Sequence, residues 1–109
     1  MRRRMLAQHR ENSTDPAIIY TGVSDKHQST VVNHIHITNT SGSVALCTIY
    51  YDDNGTTFDE STALYYKMSL AADETIEIET LIYIDYDGNL AYETNAPNAL
   101  TVTLFGEKP

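Results

Sequence analysis

The spacing of the apolar residues constrains this chain more than anything else in it. From Ala17 onward, short runs of Ile, Val, Thr and Tyr are cut by clusters of Gly, Asn, Asp and Pro. No stretch sustains the i, i+3, i+4, i+7 repeat of an amphipathic helix. β-Branched and aromatic residues suit a pleated, half-buried surface, and the intervening clusters tolerate positive φ or bond to their own backbone. The runs cover residues 17–21, 30–39, 44–51, 63–68, 75–84, 90–93 and 100–105. Short strands so spaced predict an all-β chain, a single antiparallel β-sandwich of jelly-roll or Ig-like type with about seven to eight strands.

Alternation assigns the faces. Within 30–39, Val31, Ile35 and Ile37 fall on one side, and Val32, His34, His36 and Thr38 on the other. Ile76 and Ile78 point inward while Glu77 and Glu79 point outward. The adjacent Leu81 and Ile82 interrupt that pattern and predict a bulge or bend near Thr80. Each break between runs has turn chemistry, from Asn39-Thr-Ser-Gly-Ser43 and Asp52-Asp-Asn-Gly55 to Asp85-Tyr-Asp-Gly-Asn89 and Asn95-Ala-Pro-Asn98.

A length of 109 residues with 41% apolar content fills one core and excludes a second. Folding at this size buries about two thirds of the unfolded chain's surface, so the core is modest and partner subunits are the expected source of further stability. Cys47 is the single cysteine, which rules out an intrachain disulfide and a multi-cysteine zinc site. Its neighbours Leu46 and Thr48 supply no charge to lower its pKa, and a buried, inert thiol is expected. No apolar run approaches the ~18 residues of a membrane span, and residues 1–10 lack the apolar segment of a secretory signal.

Charge divides the chain. Four of the seven cations, Arg2, Arg3, Arg4 and Arg10, lie in the first ten residues, which hold no acid; residues 11–109 carry three cations against fifteen acids. Residues 1–16 are therefore expected to form an extended basic N-terminal arm, with some helical propensity in 1–13, on an acidic β-sandwich spanning 17–109. The acidic body repels phosphate backbones, which argues against nucleic acid as a partner. The basic arm suits an acidic protein surface, nucleic acid or the acidic body of a neighbouring copy, with a plain solvated tail as the alternative.

Tests for chemistry return little. His34 and His36 lie two apart on one strand face, where two imidazoles can share a metal, but the third ligand would have to come from Asp52, Asp53 or His27, and a polar face or subunit contact is the simpler reading. Asp52-Asp-Asn-Gly55 and Asp85-Tyr-Asp-Gly-Asn89 gather oxygen donors of the kind calcium takes, without EF-hand spacing, and these are also the residues that turns prefer. There is no Gly-x-Ser-x-Gly elbow, no phosphate loop and no carboxylate pair framed by apolar residues. The expectation is a non-enzyme with no catalytic residue, no metal and no cofactor. The eight tyrosines stand out, above all the adjacent pairs Tyr50-Tyr51 and Tyr65-Tyr66, which strand geometry places on opposite faces. Exposed tyrosines give large contact area at low entropic cost. The candidate partner-binding residues are thus Arg2, Arg3, Arg4, Arg10, Tyr50, Tyr51, Tyr65 and Tyr66.

The order Ile19-Tyr-Thr21, Val31-Val-Asn-His-Ile-His-Ile-Thr-Asn-Thr-Ser-Gly42, Ala63-Leu-Tyr-Tyr66, Ser69-Leu-Ala-Ala-Asp-Glu-Thr-Ile76 and Leu100-Thr-Val-Thr-Leu-Phe-Gly106 resembles the small β-sandwich virion structural proteins of tailed bacteriophages. The resemblance spans about residues 17–107 and rests on strand and turn chemistry, so it marks fold more than role. It implies a virion protein assembled in the host cytoplasm. Its partners would be its own copies, in a homo-trimer or ring, and the major capsid or tail proteins. A capsid decoration or cement subunit would lay the arm over shell subunits. A tail, neck or fibre-attachment protein would thread it into the next ring. A carbohydrate-binding β-sandwich module, stacking aromatic rings on sugars, is the alternative from another class.

Overall fold

The computed structural model describes residues 2–109, the side chains of residues 2 and 3 excepted. Eight strands form two antiparallel four-stranded sheets: β1 (Arg2–Arg10), β2 (Ala17–Thr21), β3 (Thr30–Asn39), β4 (Ala45–Asp52), β5 (Ala63–Leu70), β6 (Thr75–Ile84), β7 (Asn89–Thr94) and β8 (Leu100–Lys108), with a 3-10 turn at Glu60–Thr62. One sheet has the order β1-β8-β3-β6 and the other β2-β7-β4-β5. That order defines a jelly roll, in which consecutive strands mostly switch sheets and the chain winds as two Greek keys. The sandwich read from the sequence is the fold, and all seven runs are strands.

Residues 2–10, expected as part of a separate arm with helical propensity, are strand β1. Their backbone pairs with β8 from Arg2↔Lys108 to Arg10↔Thr101, with a register shift between Met5 and Ala7. Pairing to β8 supplies backbone hydrogen bonds that an isolated short helix of this composition could not hold in water. The turn after it is tied to the core. Tyr92 is fully buried, and its hydroxyl accepts from the Glu11 amide at 2.7 Å and lies 3.2 Å from His9 Nδ1.

The core lies between the sheets. Val32, Ile35, Ile37, Leu100, Val102 and Leu104 of the first meet Cys47, Ile49, Leu70, Leu90 and Tyr92 of the second, all with no exposed surface. Val32, rather than Val31, shares the core face with Ile35 and Ile37, because β3 slips in register between Val32 and His34. A one-residue irregularity exchanges faces, and alternation read straight through it misassigned both valines. The irregularity does fall opposite Thr80, as expected, but β6 keeps its phase, with Ile82 and Ile84 buried and Leu81 and Tyr83 exposed. Gly106 is required by the approach of β3: a Cβ there would sit 1.8 Å from the Val31 carbonyl oxygen.

The two loop ends are stitched separately. At one, buried Asn39 donates to the carbonyls of Ser43, Leu70 and Ala71 at 2.8, 3.2 and 3.0 Å and accepts from Ser41, so a single amide joins the β3–β4 turn to the end of β5. At the other, Asn89 donates to Gly55 O at 2.7 Å and Ser29 donates to Asp85 at 2.9 Å. The Asp52 carboxylate accepts from the amides of Asn54 and Thr57 at 3.1 and 2.8 Å, so its oxygens serve the turn.

Candidate functional site

The outer face of the β1-β8-β3-β6 sheet forms an open groove of about 790 Å³, lined by Arg4, Met5, His34, His36, Glu77, Glu79 and Phe105 among others. Antiparallel register builds it in rows. Met5 pairs with Phe105 and Phe105 with His34; His34 pairs with Glu79 and His36 with Glu77. Both histidines stand 3.8 Å from their glutamates, His34 Nε2 to Glu79 and His36 Nδ1 to Glu77. These contacts become ion pairs only when the ring is protonated, and half-exposed pairs of this kind contribute little to stability. The His36 ring meets the edge of Phe105 with centroids 5.0 Å apart, and the two imidazole centroids are 6.5 Å apart. The groove has an apolar floor of Met5 and Phe105 and a polar wall of imidazoles and carboxylates. Such a surface can cover an apolar side chain while bonding the polar groups beside it. Among the described residues, no three His, Cys, Asp or Glu side chains are grouped to hold a metal ion.

The candidate residues do not gather at one place. Arg4 is exposed at the groove. Arg10 is turned onto its own chain, its Nε and Nη2 donating to Asn98 O at 3.0 and 2.8 Å. Arg2 and Arg3 occupy β1 by their backbone, and their side chains lie outside the described residues.

Of the four tyrosines, only Tyr66 is exposed, at 50%; its hydroxyl donates to Glu60 at 3.2 Å and Lys67 Nζ lies 5.2 Å from its ring centroid. Tyr50 is buried beside Phe58 and donates to Glu93; burial, then that hydrogen bond and the Glu93 charge, pushes its pKa far up. Tyr51 packs on the core, and its hydroxyl accepts from the Asp85 amide at 3.2 Å. Tyr65 reaches across the sandwich to donate to Thr80 Oγ1 at 3.0 Å. The aromatic surface expected at these pairs is mostly packing inside the domain.

The large exposed apolar side chains include Met5, Leu81 and Tyr83, which the sequence reading did not select. In β6 the even positions from Ile76 to Ile84 all turn inward, so Leu81 and Tyr83 continue the outward row of Glu77 and Glu79. The expected interruption at Leu81 and Ile82 is thus absent from the side-chain pattern, which alternates without a break from Thr75 to Ile84.

Cys47 is a free thiol buried in β4, its pKa pushed up to about 12 by burial. Comparison of the chain with protein-family models and with curated proteins finds no match.

Proposed function

We propose that the chain is a non-enzymatic structural subunit of a tailed-bacteriophage virion, a capsid decoration or cement protein that holds to neighbouring subunits through its N-terminal strand. The strand order carries the reading: an eight-stranded jelly roll is a fold that viral shells use repeatedly. A fold hosts many functions, so this support is analogy, joined to the resemblance of residues 17–107 to phage virion proteins. The surface adds a second support. β1 brings Arg2, Arg3 and Arg4 to an edge of a sheet on a body otherwise rich in acids. A free strand edge with cations beside it fits an extended acidic segment of a shell subunit, added as a further strand.

This anchoring differs from that of a loose arm, because removing residues 1–10 would take away β1 and bare β8. Charge reversal is the cleaner test. Recombinant protein is added to particles assembled without it, and bound copies are measured against protein concentration. Wild type is expected to saturate at a fixed ratio to the shell protein, and Arg3→Glu/Arg4→Glu to bind roughly tenfold more weakly while melting like wild type. Equal binding by the variant rejects β1 as the anchor, and no binding by wild type rejects decoration.

The carbohydrate-module reading draws on one observation, the open groove with Phe105 at its floor and carboxylates at its wall. Glycan-induced NMR shifts confined to His34, His36, Glu77, Glu79 and Phe105 would favour it over the virion role.

A further inference from the structure

The sandwich has four strand edges, and three carry features that discourage pairing with the same edge of a second copy. β1 is rich in arginine, β2 has only five residues, and β5 is interrupted at Lys67, whose φ of 50° breaks the extended backbone. β6 is different. Its ten residues contain no Lys, Arg, Pro or Gly, and it is paired on one side only, to β3. Leu81 and Tyr83 stand 61% and 56% exposed along it, and Ile76 and Ile78 sit half-buried at the rim of the core.

We propose that β6 pairs antiparallel with β6 of a second copy about a two-fold axis through Thr80, joining two four-stranded sheets into one of eight. Charge and side-chain phase select both the occupant and the register. Side chains directly opposite in an antiparallel pair share a face, so the axis must pass through a residue if both cores are to stay on one side. An axis at Glu79 sets that carboxylate against the partner's Glu79, and one at Ile78 sets Glu77 against it. Axes at Leu81 and Ile82 bring the partner's Asp85 against Glu77 and Glu79 respectively. At Thr80 no acid faces an acid. Glu77 then lies opposite the partner's Tyr83, whose hydroxyl donates to the carboxylate, and Glu79 lies opposite the partner's Leu81. On the inner side Ile76 meets the partner's Ile84, and Ile78 the partner's Ile82, so the core rows run on across the joint. The strand is its own complement from Ile76 to Ile84.

The experiment is sedimentation equilibrium of the full chain with two opposite charges placed at one exposed site. Leu81→Glu puts a carboxylate opposite the partner's Glu79 twice per dimer, and Leu81→Lys puts an ammonium there. Wild type is expected to be a dimer, Leu81→Glu to raise the dissociation constant roughly tenfold or more, and Leu81→Lys to keep or tighten the dimer. Circular dichroism melts verify that both variants fold. Hydrogen exchange at β6 amides is expected to slow as the dimer forms. A monomer at all concentrations overturns the proposal, and so does a dimer indifferent to Leu81→Glu or one that both charges abolish equally. A chain absent from every particle would still associate in this way, and a monomeric chain would leave the virion role standing, so the two readings fail separately.

Discussion

Replacing Tyr92 with Phe removes one oxygen from a site where the N-terminal strand meets the core. The ring has no exposed surface and stays packed, so no cavity opens. What is lost is the acceptor for the Glu11 amide at 2.7 Å and the contact with His9 Nδ1 at 3.2 Å. A donor left unpaired in a partly buried place costs about 1–3 kcal/mol, and the lower half of that range applies because solvent reaches the edge of the site. About 1.5 kcal/mol in a domain of this size lowers the melting temperature by about 6–12 °C. Thermal denaturation by circular dichroism measures it. Hydrogen exchange is expected to localise the effect, with the β1 amides from Arg4 to Arg10 exchanging faster than those of β3. Were residues 1–16 a free arm, the hydroxyl would face water and the change would be nearly neutral. A melting temperature within about 2 °C of wild type, with β1 exchange unchanged, would refute the docking of β1 onto the sandwich.

Gly106→Ala would force a methyl group to 1.8 Å from the Val31 carbonyl, where only separation of β3 from β8 relieves the clash; loss of more than about 15 °C in melting temperature, or no folded protein, is expected. Ile35→Asp, at a site with no exposure, is expected to unfold the domain, while Ile78→Asp at the half-buried β6 rim costs about 1–3 kcal/mol in urea denaturation; the reverse order would overturn the assignment of faces. Burial pushes the Cys47 thiol up from 9.0 and the Tyr92 hydroxyl up from 10.0, each to about 12, and Tyr50 is raised further. The folded state favours their neutral forms. Stability is therefore fully present below pH 9.0 and is lost as pH rises from there towards about 12, seen as a falling urea midpoint. An aromatic disulfide reagent is expected to leave Cys47 untouched in the native protein and to react after unfolding, and rapid native reaction would contradict its burial.

The strands from β2 to β8 were legible because β-branched runs and turn clusters act locally. β1 was not. Arg-Arg-Arg-Met-Leu-Ala-Gln-His-Arg has no alternation to read, and its strand conformation comes from pairing with β8, a partner some hundred residues away in sequence. A count of strands held the missing signal, since seven leave one position of an eight-stranded jelly roll vacant beside β8. The tyrosine pairs show a different limit. Alternation places Tyr50 on the outer face of its sheet, but Phe58 of the following loop packs against it, and a local pattern cannot anticipate that cover. His34 and His36 do lie on the outer face, and their cross-strand partners Glu79 and Glu77 follow from a register that only the folded chain defines.

The proposed virion role is tested most directly by counting this chain in purified phage particles, with isotope-labelled peptides and the major shell protein as reference. Decoration predicts a copy number near one per shell subunit. A few to a dozen copies per particle would move the protein to the neck, tail or fibres, and its absence from particles would contradict the virion reading altogether.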